Sequence, residues 1–201
     1  MIKLTIGDKA YKYPSENEEV TLEQWIDLQK VQPEETTFNS DVKAFSKFTG
    51  VPQKELRKMG KKELAHHMPQ VIERVTSIGA HILDAEPIHE LKIGRSMYYI
   101  EQDLDNAPLG QYSDCTHFMN KMESDWDFLP YMMAIYCLKK GQTHTDDMEE
   151  LEKRARAMRK ARAVDALIIH NFFFHTSQDY AKDFQLYMGE SQATTKSKQA
   201  V

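Results

Sequence analysis

The chain has 201 residues, 41% of them hydrophobic, including nine Phe, nine Tyr and two Trp; that is ample for one domain core or two small ones and argues against global disorder. Lys and Arg number 26 against 31 Asp and Glu, a formal charge of -5, which argues against a duplex-coating protein, whose binding depends on neutralising phosphates. Met1–Thr5 lacks the features of a signal peptide, and the apolar run Ala166–Ile169 is cut by His170 and Asn171, too short to span a bilayer, so a cytoplasmic protein with no membrane partner is expected.

In chain order, Leu4-x-Ile6-Gly7-x-x-x-Tyr11 reads as a strand, a tight turn and a second strand. Leu and Ile alternate at the strand period, and glycine supplies the turn. A polar connector, Ser15–Glu19, leads to a helix that Thr21 can cap, with Leu22, Trp25, Ile26 and Leu28 as its stripe. Asp41–Phe48 is amphipathic and stops at Gly50-Val51-Pro52; Pro52–Leu56 opens a short helix. A longer helix is expected over Lys61–Leu83, broken or restarted at Pro69. Leu91-x-Ile93-Gly94-x-x-x-Tyr98 is a second hairpin. A connector, Gln102–Asn106, then precedes a helix opened by Pro108 and striped by Leu109, Tyr112 and Cys115. Asp127–Leu138 reads as helix, Gly141–Thr145 as loop, Asp146-Asp147 as the start of a charged helix, and Ala161–Tyr187 as the last helix, ended by Gly189. An isolated hairpin is marginal in water, so each must pack on helices.

These elements repeat. Laid over Leu91–Asp114 with no gap, Leu4–Asp27 gives seven identities in 24 positions: Leu4/Leu91, Ile6/Ile93, Gly7/Gly94, Tyr11/Tyr98, Leu22/Leu109, Gln24/Gln111 and Asp27/Asp114. The expected fold is therefore mainly α with two small β-hairpins, an internal duplication of a hairpin-plus-helices unit. Its divisions are 1–87, 88–189 and a flexible tail over 190–201. Trp25 and Tyr112 are expected in equivalent buried positions.

No catalytic, cofactor or metal site is expected. His66-His67 and His170/His175 do not share a helix face, and Cys115-x-His117 with His144-x-Asp146-Asp147 matches no four-ligand spacing. There is no Gly-x-Ser-x-Gly elbow and no phosphate-binding glycine loop. Cys115 and Cys137 lie in segments that read as helical and are expected as buried, reduced thiols. The basic runs Lys54–Lys62 and Lys153–Arg162 suit solvated helices; in the second, acids precede bases at helical spacing, and nucleic-acid binding would favour interleaved aromatics. Phe172, Phe173 and Phe174 stand together. Three successive rings spread over roughly 200° of a helix, so either the helix is buried on several sides or one ring joins an interface. On that ground the triplet is the candidate partner-binding site.

The order of Leu22–Leu28, Thr49-Gly50-Val51-Pro52, Glu55-Leu56, the second hairpin, Gly110–Asp114 and Asn171–Phe174 resembles a group of small tailed-bacteriophage proteins labelled tail assembly chaperones or uncharacterised virion proteins. The resemblance covers about Met1 to Phe174. It implies a non-enzymatic role in the host cytoplasm, shielding an amphipathic helical partner such as the tape-measure protein, and it assigns no site residue. Eleven Met and nine Phe are adaptable apolar side chains for such a groove. A structural virion component, a neck or baseplate subunit bound to neighbours or to copies of itself, is the alternative, followed by a nucleic-acid-associated factor.

Overall fold

The computed structural model describes residues 1–31, 38–80, 82, 85–100, 108–122 and 124–173. The chain is mostly helical, with two small antiparallel sheets. Strands β1 (Ile2–Ile6) and β2 (Lys9–Tyr13) pair with Leu4 opposite Tyr11 and Ile6 opposite Lys9. The two-residue turn between them holds Gly7 at φ +58°, a conformation glycine adopts without a Cβ penalty. Strands β3 (Glu90–Ile93) and β4 (Ser96–Ile100) pair in the corresponding register, Leu91 opposite Tyr98 and Ile93 opposite Ser96, with Gly94 also at φ +58°. Both expected hairpins are present.

The helices of the first half are α1 (Leu22–Gln29), α2 (Phe38–Thr49), α3 (Gln53–Leu56) and α4 (Lys61–Ala80). Those of the second are α5 (Leu109–Lys121), α6 (Asp125–Tyr136), α7 (Met148–Met158) and α8, residues 163–173. Thr21 and Gln24 form a capping box: the Gln24 backbone N–H donates to Thr21 Oγ1, and the Thr21 N–H donates to Gln24 Oε1 at 2.9 Å. Asp147 caps α7 by accepting from the Glu149 and Glu150 amides. The starts of α1 and α5, of α2 and α6, and of α4 and α7 are each 87 residues apart. A side-chain bond follows the same spacing: Gln24 Nε2 donates to the Phe48 carbonyl at 2.8 Å, part-buried, and Gln111 Nε2 to the Ile135 carbonyl at 3.2 Å, buried. The correspondence stops further on. Helix α4 is continuous, whereas the chain breaks between α7 and α8.

Backbone bonds join the halves. Leu22 and Glu23 at the start of α1 donate to the carbonyls of Ala161 and Arg159, and Ala163 at the start of α8 donates to Val20. Each helix thereby satisfies N–H groups that its own first turn leaves without partners. Beside this seam Lys30 meets Asp127 at 2.6 Å, and Trp25 packs edge-on against Trp126 with centroids 4.4 Å apart. The core runs through both halves, from Leu4, Tyr13, Phe45 and Phe48 to Phe118, Leu129, Met133 and Leu151.

Four expectations need correction. Helix α4 runs unbroken through Pro69. Proline inside a helix costs about 3 kcal/mol, but Leu64, Val71 and Ile78 are buried on both sides of it, and such side chains stabilise by about 1.5–3 kcal/mol each. Cys137 and Leu138, expected as helix, form a short strand β5 on β4, making the second sheet three-stranded; two residues are too few to show a period. Tyr112 does not share Trp25's burial: it is 59% exposed against 6%, because second-half helix α6 covers Trp25. The thiols also differ, Cys137 being buried and Cys115 half-buried. The connector 102–106, the last helix beyond 173 and the tail 190–201 lie outside the described residues.

Glu55 ties the first hairpin to α3. Its side chain is 6% exposed and pairs with Lys58 at 2.7 Å and Lys9 at 3.2 Å. Hydrogen bonds from Lys58 and then Lys9 hold its carboxyl below the ordinary range. A lowered pKa stabilises the fold above the unfolded value, about 4.3, and that contribution is lost as pH falls further, through the folded value. The melting temperature of Glu55→Gln should therefore lie below that of the parent at pH 7, and the gap should close under acid titration.

Candidate functional site

Helix α5 has two unlike sides. Gln111 and Phe118 face inward, at 3% and 2% exposure. Tyr112 and Met119, two turns apart on the outer side, are 59% and 55% exposed. Both Trp25 and Tyr112 are the fourth residue of their helix, so in the ungapped sequence overlay the outer side of α5 aligns with the side of α1 that Trp126 covers. At the position of Lys30, which binds Asp127 in that covered contact, α5 carries the exposed His117. Nothing among the described residues lies over Tyr112 as Trp126 lies over Trp25. On β4, Met97 and Tyr99 are 38% and 43% exposed.

The N-terminal end of α5 borders a cavity of about 600 Å³. Pro108, Gln111 and Tyr136 line it together with Tyr99 and Ile100 from β4 and the stretch Leu138–His144. His144 Nε2 lies 3.1 Å from Asp114 Oδ2, close enough for an ion pair yet off line for a hydrogen bond, so both atoms are buried without one. Gln111 Oε1 is buried and unpartnered as well. Its orientation is set by its own NH₂, which donates to the Ile135 carbonyl. In the first half the same atom of Gln24 accepts from both the N–H and the hydroxyl of Thr21. The residue in Thr21's place is Pro108, with neither donor. An acceptor left so costs about 1–3 kcal/mol.

Burial pushes Cys115 and Cys137 up to about 12, so both are neutral thiols at pH 7, and the thiolate is the reactive form. Tyr13 donates to or accepts from His67 Nδ1 at 2.8 Å, but its ring is 1% exposed and stacks edge-on with Phe45 inside the core. Among the described residues no three His, Cys, Asp or Glu side chains converge as a metal cluster, and no helix is long and apolar enough to cross a membrane.

Of the phenylalanine triplet, Phe173 is 4% exposed and stacks on Tyr136 with centroids 4.6 Å apart, so its ring is not open to a partner chain. Phe172 is half-buried and meets Phe173 edge-on. Phe174 lies outside the described residues. In the basic run 153–162, Arg154 and Lys153 pair with Glu150 at 3.1 and 3.6 Å, while Leu151, Ala155 and Met158 face the core. The outer side of α5 is not legible in the sequence, because its stripe resembles that of α1 and only the packing of the halves separates them. The Thr21/Pro108 exchange beside two identical glutamines was visible in the ungapped overlay. No family model, curated protein or solved structure matches this chain.

Proposed function

We propose that the chain is a non-enzymatic assembly protein that docks an amphipathic helix on the outer side of α5. In line with the resemblance to small tailed-phage proteins, the role that fits is tail assembly chaperone, working in the host cytoplasm with the tape-measure protein as its partner. One observation carries the docking site: the side of α1 that corresponds to it is covered by a helix, through Trp25 on Trp126 and Lys30 on Asp127, whereas Tyr112 and Met119 stand open. Exposed Met and Tyr are adaptable anchors for such a partner. A helix with an aromatic ring followed by a carboxylate, as in Trp126-Asp127, would place the ring on Tyr112 and the carboxylate by His117.

A chaperone leaves its client once assembly is complete. Purified particles should therefore lack the protein, and co-expression should keep the tape-measure protein soluble. Stoichiometric presence in particles would instead assign it to the virion structure as a neck or baseplate subunit.

A further inference from the structure

The outer face of the second sheet carries a pattern that the first hairpin lacks. Side chains alternate between faces along each strand: Leu91, Tyr98, Ile100 and Cys137 are buried, while Glu90, Lys92, Met97 and Tyr99 are exposed and Leu138 is half-buried. The register sets two rows across the outer face, Glu90 beside Tyr99 beside Leu138, and Lys92 beside Met97. Each row begins with one charge and runs into apolar side chains. The two charges have opposite signs, and neither stands opposite a charge across the strands. The first hairpin is built otherwise: Lys3 stands opposite Lys12 and Thr5 opposite Ala10, all four exposed. Directly opposed like charges are unfavourable, and Thr5 and Ala10 are too small to anchor an interface.

We propose that this outer face pairs with the same face of a second copy of the chain. A two-fold axis lying between the two sheets, across the strands and midway between the rows, stacks each strand antiparallel on its own copy and exchanges the rows. Glu90 then meets Lys92 of the second copy, and Tyr99 meets Met97 of the second copy, each contact made twice. A thioether on an aromatic ring and a pair of opposite charges are both favourable contacts. The charge pattern selects the occupant: a face with an acid in one row and a base in the next is complementary to itself. A contact of so few side chains falls in the small, transient class, so monomer and dimer exchange. It uses none of the residues on the outer side of α5 and does not depend on docking there.

Sedimentation equilibrium on the full chain tests the pairing. The chain should populate a dimer as its concentration is raised to about 1 mM, the weak end of measurable association. Lys92→Glu, which makes both rows acidic, should weaken the dimer at least about tenfold, and Glu90→Lys should do the same, because each sets like charges against one another. The double variant Glu90→Lys/Lys92→Glu exchanges the two signs and should restore the dimer, a rescue that damage to the fold would not give. Tyr112→Glu/Met119→Glu should leave the dimer unchanged, so failure here is separable from failure of the docking site on α5. A chain that stays monomeric over the whole range overturns the proposal and leaves the face to a different protein. A dimer indifferent to Lys92→Glu, or a double variant no better than the single ones, overturns it as well. Loss of the dimer in Tyr112→Glu/Met119→Glu overturns it and moves the contact to α5.

Discussion

Replacing Tyr112 and Met119 together with glutamate should weaken partner binding by at least about 100-fold while changing the free energy of unfolding by no more than about 0.5 kcal/mol. The two halves of that expectation have separate causes. A hundredfold loss is about 2.7 kcal/mol, the scale of losing one aromatic anchor and placing a charge where the partner's apolar side must be desolvated. The small stability change follows from exposure: at 59% and 55% exposed, neither side chain carries much of the core. The binding constant would come from titration calorimetry and the stability from urea unfolding of the same preparation. A variant that unfolds would show that these residues support the fold; one that binds as the parent does would place the interface elsewhere.

Trp25→Ala should produce the opposite pattern, a loss of about 3–5 kcal/mol in unfolding free energy, the range for removing a buried Trp or Phe. Trp25 is 6% exposed and closes the seam between the halves against Trp126. Its indole N–H is buried without a partner, so it contributes packing and no hydrogen bond. Trp25→Phe, which keeps an aromatic ring and removes that unpartnered donor, should therefore cost clearly less than Trp25→Ala. Urea unfolding of both variants measures the difference. Equal losses would mean that the indole N–H is bonded in solution. Tyr112→Ala should be nearly neutral by comparison, because Tyr112 is 59% exposed.

That contrast also marks how far the sequence could be read. The hairpins were legible because Leu and Ile alternate around Gly7 and Gly94, a local signal with a steric cause. The start of α1 was legible because Thr21 and Gln24 carry a capping box within four residues. Burial at Tyr112 was not legible: its spacing repeats that of Trp25, and only Trp126, 101 residues beyond Trp25 in the chain, separates their fates. Strand β5 was hidden because a two-residue pairing has no period, and the continuity of α4 because packing around Pro69 outweighs a local breaker. Phe173 met the same limit, since a run of three rings states how wide an apolar surface is and leaves open what covers it. The unpartnered Gln111 required comparing what stands three residues before each glutamine.

The outer side of α5 as the docking site is tested most directly by hydrogen–deuterium exchange, comparing the chain alone with the chain mixed with the proposed partner, the tape-measure protein. Binding a helix there should slow exchange of the α5 amides over residues 109–121, and the same experiment on Tyr112→Glu/Met119→Glu should show no slowing at matched concentrations. Slowing confined to residues 163–173, with α5 unchanged in the complex, would contradict it and move the interface to α8.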